Sequence, residues 1–152
     1  MRRYVVFMAF FMVAVGFVLG QPKELPTGAK CVICGMKITT ESPLVVQMKL
    51  KDGSYIYAGS PKHAMRYYLK NKEKIAQIWV KDFKTGKWID GRKAYYVIIK
   101  EGPAGKDLAP FRSMLKARKF AKGKKILKFS QINNELLEHL GENHEGNMKH
   151  SH

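Results

Sequence analysis

The chain of 152 residues carries 28 Lys and Arg against 12 Asp and Glu, a formal net charge of +16, and has only two cysteines. Its length suits one compact domain or two small fused halves, and 45% hydrophobic with 11% aromatic residues excludes a wholly disordered chain. Two cysteines are too few for a disulfide scaffold, so an apolar core must hold the fold.

Met1-Arg2-Arg3 is a short cationic start, and Tyr4 to Gly20 is an apolar run. A run of about 17 residues lies between a signal-peptide core and a minimal membrane span. The arginines should stay in the cytoplasm and send the rest across. Residues 1–20 are therefore read as a signal peptide or membrane anchor. The remainder is expected to be exported to the periplasm, soluble if the segment is cleaved and membrane-anchored if it is not. Export argues against nucleic acid as the partner of a +16 chain, and the lysines are dispersed rather than gathered in one block. Pro22 and Pro26 mark residues 21–42 as a linker, which carries Cys31-Val32-Ile33-Cys34-Gly35-Met36.

The next segment, 43–141, reads as an α+β domain. Val45–Leu50 and Ser54–Tyr57 flank Asp52-Gly53, a hairpin signal because glycine accepts the positive φ such turns need. Ser60-Pro61 opens a helix to about Asn71, with serine as cap and proline where no N–H is needed. Ala76–Phe83 is the next strand, completing a ββαβ unit over about 43–83. Lys87–Asp90, Ala94–Ile99 and Leu108–Phe111 are further strands. Ala94–Ile99 is apolar throughout, as a central strand should be. Gly102–Asp107 reads as a glycine-rich loop. Ser113 caps a helix that stops at Gly123, and Lys125–Phe129 closes a second ββαβ half over about 87–129. Ser130 is expected to cap a last helix with Ile132, Leu136, Leu137 and Leu140 on one stripe. Residues 142–152 are a polar tail containing His and Met.

The chemistry concentrates in Cys31-x-x-Cys34. Two thiolates at this spacing can meet one atom if the backbone turns between them, and Gly35 favours such a turn. Thiolates are soft ligands that select Cu(I) or Zn(II). Met36 adds a thioether, a poor zinc donor and a reasonable Cu(I) donor. Spacing alone leaves two other readings open. The pair could be the dithiol of an extracytoplasmic thiol–disulfide oxidoreductase, or a plain disulfide in a structural membrane-surface protein. Further candidate ligands are His63, in the first turn of the first helix, and His144, Met148, His150 and His152 in the tail. No G-x-S-x-G, P-loop or H-E-x-x-H pattern is present, and no carboxylate pair stands out, so an enzyme is not expected.

From Cys31 to about Ile132 the chain resembles the NosL family, accessory proteins of nitrous oxide reductase. The resemblance rests on Cys31-Val-Ile-Cys34-Gly35-Met36, Asp52-Gly53, Asp82-Phe-Lys-Thr-Gly-Lys-Trp-Ile-Asp90, Ala94-Tyr-Tyr-Val and Leu108-Ala-Pro-Phe111, in that order. It implies two ββαβ halves, export, Cu(I) binding, and delivery to a copper-receiving enzyme or another copper-transfer protein in denitrification. Two departures stand out. No lipid-anchor cysteine is evident, which leaves the N-terminal segment as anchor or signal. Many relatives read Gly-Pro-Met-Gly where this chain has Gly102-Pro103-Ala104-Gly105, so Ala104 removes a thioether.

Overall fold

The structure is a computed structural model that describes residues 20–141. The N-terminal apolar run up to residue 19, and His144, Met148, His150 and His152 of the tail, lie outside the described residues. Among the described residues no helix is long and apolar enough to cross a membrane.

The first sheet contains β1 (Val46–Leu50), β2 (Tyr55–Ala58), β3 (Ile75–Lys81) and β4 (Trp88–Asp90), in the order β2-β1-β3-β4, all antiparallel. The second contains β5 (Tyr95–Gly102), β6 (Gly105–Phe111) and β7 (Ile126–Lys128), in the order β6-β5-β7. Helix α1 (Pro61–Lys70) follows β2, α2 (Met114–Ala121) follows β6, and α3 (Asn134–Gly141) ends the described chain. Each half therefore places its first strand at the centre, its second on one side and its post-helix strand on the other. The two ββαβ halves expected from the sequence are present. The Trp88–Asp90 strand belongs elsewhere: it pairs with β3 and extends the first sheet, so the second half begins at β5.

Side-chain alternation explains why β5 is apolar on both faces. Tyr96 and its neighbours Leu108 and Leu127 turn toward a core shared with Val46, Met48, Ile78, Val80, Met65 and Leu137. Val97, Ala109 and Phe111 turn the other way, onto Ala117 and Ala121 of α2. The Tyr96 hydroxyl finds its buried partner in the Gly91 carbonyl at 2.5 Å.

Two local expectations need correction. Gly102–Asp107 is not a loop: β5 runs to Gly102 and β6 starts at Gly105, leaving a two-residue turn of Pro103 and Ala104. Ser130 does not cap α3; it sits in a 3-10 turn over Phe129–Gln131, and Asn133 accepts the Leu136 N–H at 2.9 Å instead. Glycine and proline mark the first turn without giving its length, and the 3-10 turn over Phe129–Gln131 delays α3 to Asn134.

Candidate metal centre

The segment before β1 is fastened to the fold. Residues 30 and 37 form an antiparallel bridge, with the Cys31 N–H on the Met36 carbonyl at 2.9 Å and the Ile38 N–H on the Ala29 carbonyl at 2.8 Å. Gly35 closes the turn, its N–H on the Cys31 carbonyl at 2.9 Å and its φ at +71°. This small hairpin lies along the free side of β2 through a parallel bridge from Cys31 to Tyr57, where the Val32 N–H donates to the Tyr57 carbonyl at 2.8 Å. Cys31 and Ile38 thereby enter the core, while Cys34 and Met36 stay exposed at the rim.

Helix α1 starts directly after β2, so its first turn arrives beside this hairpin. Ser60, buried, caps it by accepting the His63 N–H at 3.4 Å. His63 Nδ1 then lies 3.5 Å from Cys31 Sγ. Donor atoms of Cys31, Cys34 and His63 all fall within 4.8 Å of one another. Both cysteines are free thiols. They open onto a pocket of about 170 Å³ whose lining also includes Met36, Thr39, Ser42, Pro103 and Ala104.

This donor set matches the size of a soft-metal ion. Sulfur at about 2.3 Å and imidazole nitrogen at about 2.0 Å from one ion stand about 3.5 Å apart at a tetrahedral angle. The Cys31–His63 separation already has this value. Two sulfurs on one ion can stand at most about 4.6 Å apart, so Cys34 needs at most a small adjustment.

The electrostatics favour ligation at Cys31. Burial pushes its thiol up, but N–H groups of Cys34, Gly59 and Ile33 and the Cys34 side chain outweigh this, leaving it below the ordinary value of 9.0. The Cys34 thiol is pushed above 9.0 by burial and by the neighbouring Cys31, against the opposing N–H of Met36. Burial holds His63 below 6.5, Lys62 and Arg66 push the same way, and Asp107 opposes. A neutral imidazole with a free lone pair is the ligating form.

Of the residues singled out in the sequence, Cys31, Cys34, Met36 and His63 therefore share one pocket. A larger cleft of about 470 Å³, lined by Trp88, Ile89, Asp90, Lys93, Ala94 and Arg112, contains no sulfur or imidazole. The NosL family model matches residues 22–137. The chain belongs to the NosL family. Its fold is also that of a solved relative, the copper chaperone NosL from Shewanella denitrificans. The two are 21% identical with a TM-score of 0.67, over 76% of this chain and 97% of that one. Among curated proteins no sequence match is found.

The NosL motifs acquire separate roles in this structure. Cys31 and Cys34 line the pocket with thiols, whereas Asp82 ties the fold together. Buried Asp82 accepts the N–H groups of Lys84, Thr85 and Arg112 at 2.8, 3.2 and 3.1 Å, tying the β3–β4 turn to the end of β6. Ala104 sits at the pocket wall.

Proposed function

We propose that the protein is an extracytoplasmic metallochaperone that holds Cu(I) on Cys31, Cys34 and His63, with Met36 as an auxiliary thioether at the rim. The observation that carries this reading is the convergence of two thiols and one imidazole within 4.8 Å in a NosL-family fold. The cargo is copper rather than zinc because Met36 and the exported setting of the N-terminal segment both suit Cu(I). Three ligands, one of them at the surface, leave room for a receiving protein to add its own donor. The ion then moves by ligand exchange, with no bond to carbon made or broken. Copper-centre assembly of nitrous oxide reductase is the destination that the family resemblance supports. The +16 charge suits a receiving surface that is acidic.

A redox role for the same pair fits less well. An attacking thiol must be both exposed and ionised at working pH. Here the thiol with the lowered pKa is the buried Cys31, and the exposed Cys34 is raised.

The test is anaerobic titration of the purified, reduced protein with Cu(I) against a coloured chelator, with Zn(II) run in parallel. One Cu(I) per chain is expected, with strong loss of affinity in Cys31→Ser/Cys34→Ser and a smaller loss in His63→Ala. An affinity unchanged in the double variant would refute the site, and tighter zinc than copper binding would refute the cargo.

A further inference from the structure

Two buried ionisable groups outside the donor set, Lys62 and Asp107, lie together beside it. Lys62, adjacent to His63 in the first turn of α1, is only 2% exposed. A lysine is rarely so enclosed, because its ammonium needs partners once water is removed. Its Nζ donates to the Ala104 carbonyl at 2.6 Å, and its backbone N–H donates to Asp107 Oδ1 at 2.9 Å. Asp107 on β6 is fully buried. The same Oδ1 accepts the Leu108 N–H at 2.9 Å, and Oδ2 has no hydrogen-bond partner.

The turn that Lys62 grips is part of the metal pocket. Pro103 and Ala104 are the two turn residues between β5 and β6, and both line the pocket that holds Cys31, Cys34 and His63. The turn fits over Asp107 only because residue 102 is glycine. A Cβ there would stand 2.6 Å from the Asp107 Cβ and 3.0 Å from the Gly105 carbonyl oxygen. Ala104 offers no side-chain donor, so the turn acts as a wall and not as a ligand.

We propose that Lys62 and Asp107 are positioning residues that latch the β5–β6 turn beside the donor set and so govern how fast a bound soft metal leaves. The inference rests on the copper reading above. Lys62 belongs to the first half of the fold and the turn to the second, so the bond spans both halves. Asp107 holds the first turn of α1 by its Lys62 N–H; burial lowers the Lys62 pKa and Arg66 adds to this, while the Asp107 carboxylate opposes both. A hydrogen bond from a charged donor is strong, yet it is a single contact. Its rupture lets the turn lift and opens the pocket to a partner's ligand.

The experiment compares full-length wild type, Lys62→Met and the double variant Lys62→Met/Asp107→Asn. The double variant avoids leaving a buried carboxylate without its cation, and circular dichroism verifies folding of each. Hydrogen exchange by mass spectrometry on metal-free protein follows peptides covering residues 101–107. Stopped-flow transfer of Cu(I) to an excess of chelator gives the release rate. Exchange in the turn and copper release are both expected to rise about tenfold or more, the range set by one charge-assisted bond, with equilibrium affinity falling less than the release rate rises. Turn exchange within threefold of wild type in both variants overturns the latch, whatever the copper result. Faster exchange with unchanged release overturns its control of the metal. Wild-type protein that takes up no Cu(I) overturns the copper reading instead, and faster turn exchange would still support the tie.

Discussion

Copper uptake by this site should release protons, and the structure sets how many. In the proposed site both cysteines ligate as thiolates, so each proton still on sulfur must leave when the metal arrives. Cys31 titrates below 9.0 and Cys34 above it. Below the Cys31 value two protons are displaced, and the apparent association constant rises about a hundredfold per pH unit. Above it only the Cys34 proton remains, and the dependence falls to about tenfold per unit, persisting beyond pH 9. His63, held below 6.5, contributes only in more acidic solution. From pH 6 to pH 8 the affinity should therefore rise by at least about 10² and at most about 10⁴, or roughly 2.7 to 5.5 kcal/mol. The sign is fixed, because protons and copper compete for the same lone pairs. The assay is the anaerobic chelator competition repeated from pH 6 to pH 9, with the chelator's own protonation calibrated. Cys34→Ser should flatten the profile first, because the remaining thiol has the lower pKa. An affinity constant within threefold between pH 6 and pH 8 would refute thiolate ligation as argued.

Three further outcomes follow from particular residues. Asp82→Asn should lower stability by about 2–3 kcal/mol in urea unfolding, since an amide NH₂ would face the Arg112 N–H in place of an acceptor; copper affinity at 25 °C should not move. Gly35→Ala meets no atom within 4 Å but is forced to keep φ at +71°, so it should cost about 1 kcal/mol and weaken copper binding by displacing Cys34, read in the same titration. Ala104→Met should strengthen Cu(I) binding by about tenfold or more while leaving Zn(II) nearly unchanged, since a thioether at the pocket wall suits only the softer ion; equal gains for both metals would exclude ligation by the new side chain.

The sequence shows the features that depend on near neighbours. Asp52-Gly53, Ser60-Pro61 and the unbroken apolar run of β5 predict a hairpin, a cap and a strand buried on both faces, and all three are present. The Cys31–Cys34 pair was readable because its chemistry lies within one turn. His63 was visible only as a helix-start histidine. What makes it a candidate ligand is the parallel bridge from Cys31 to Tyr57, a contact between distant segments that no local pattern announces. Lys62 and Asp107 gave no signal, because lysine in a first helical turn and aspartate after a glycine-rich stretch both read as surface. Gly102–Asp107 reads as a loop although the turn is only Pro103 and Ala104, because glycine and proline mark where a chain reverses but not how quickly.

The Cys31 hairpin has one more consequence, for solubility. Strand β2 is the outer strand of its sheet, and an outer strand with open backbone groups is a template for pairing with another chain. The Tyr57 carbonyl on that side is occupied by the Val32 N–H, so the loop that carries the cysteines also covers the sheet border. The proposed metal site and the guard of the border thus fall on the same few residues. Variants that unseat the loop should self-associate even where their cores are intact.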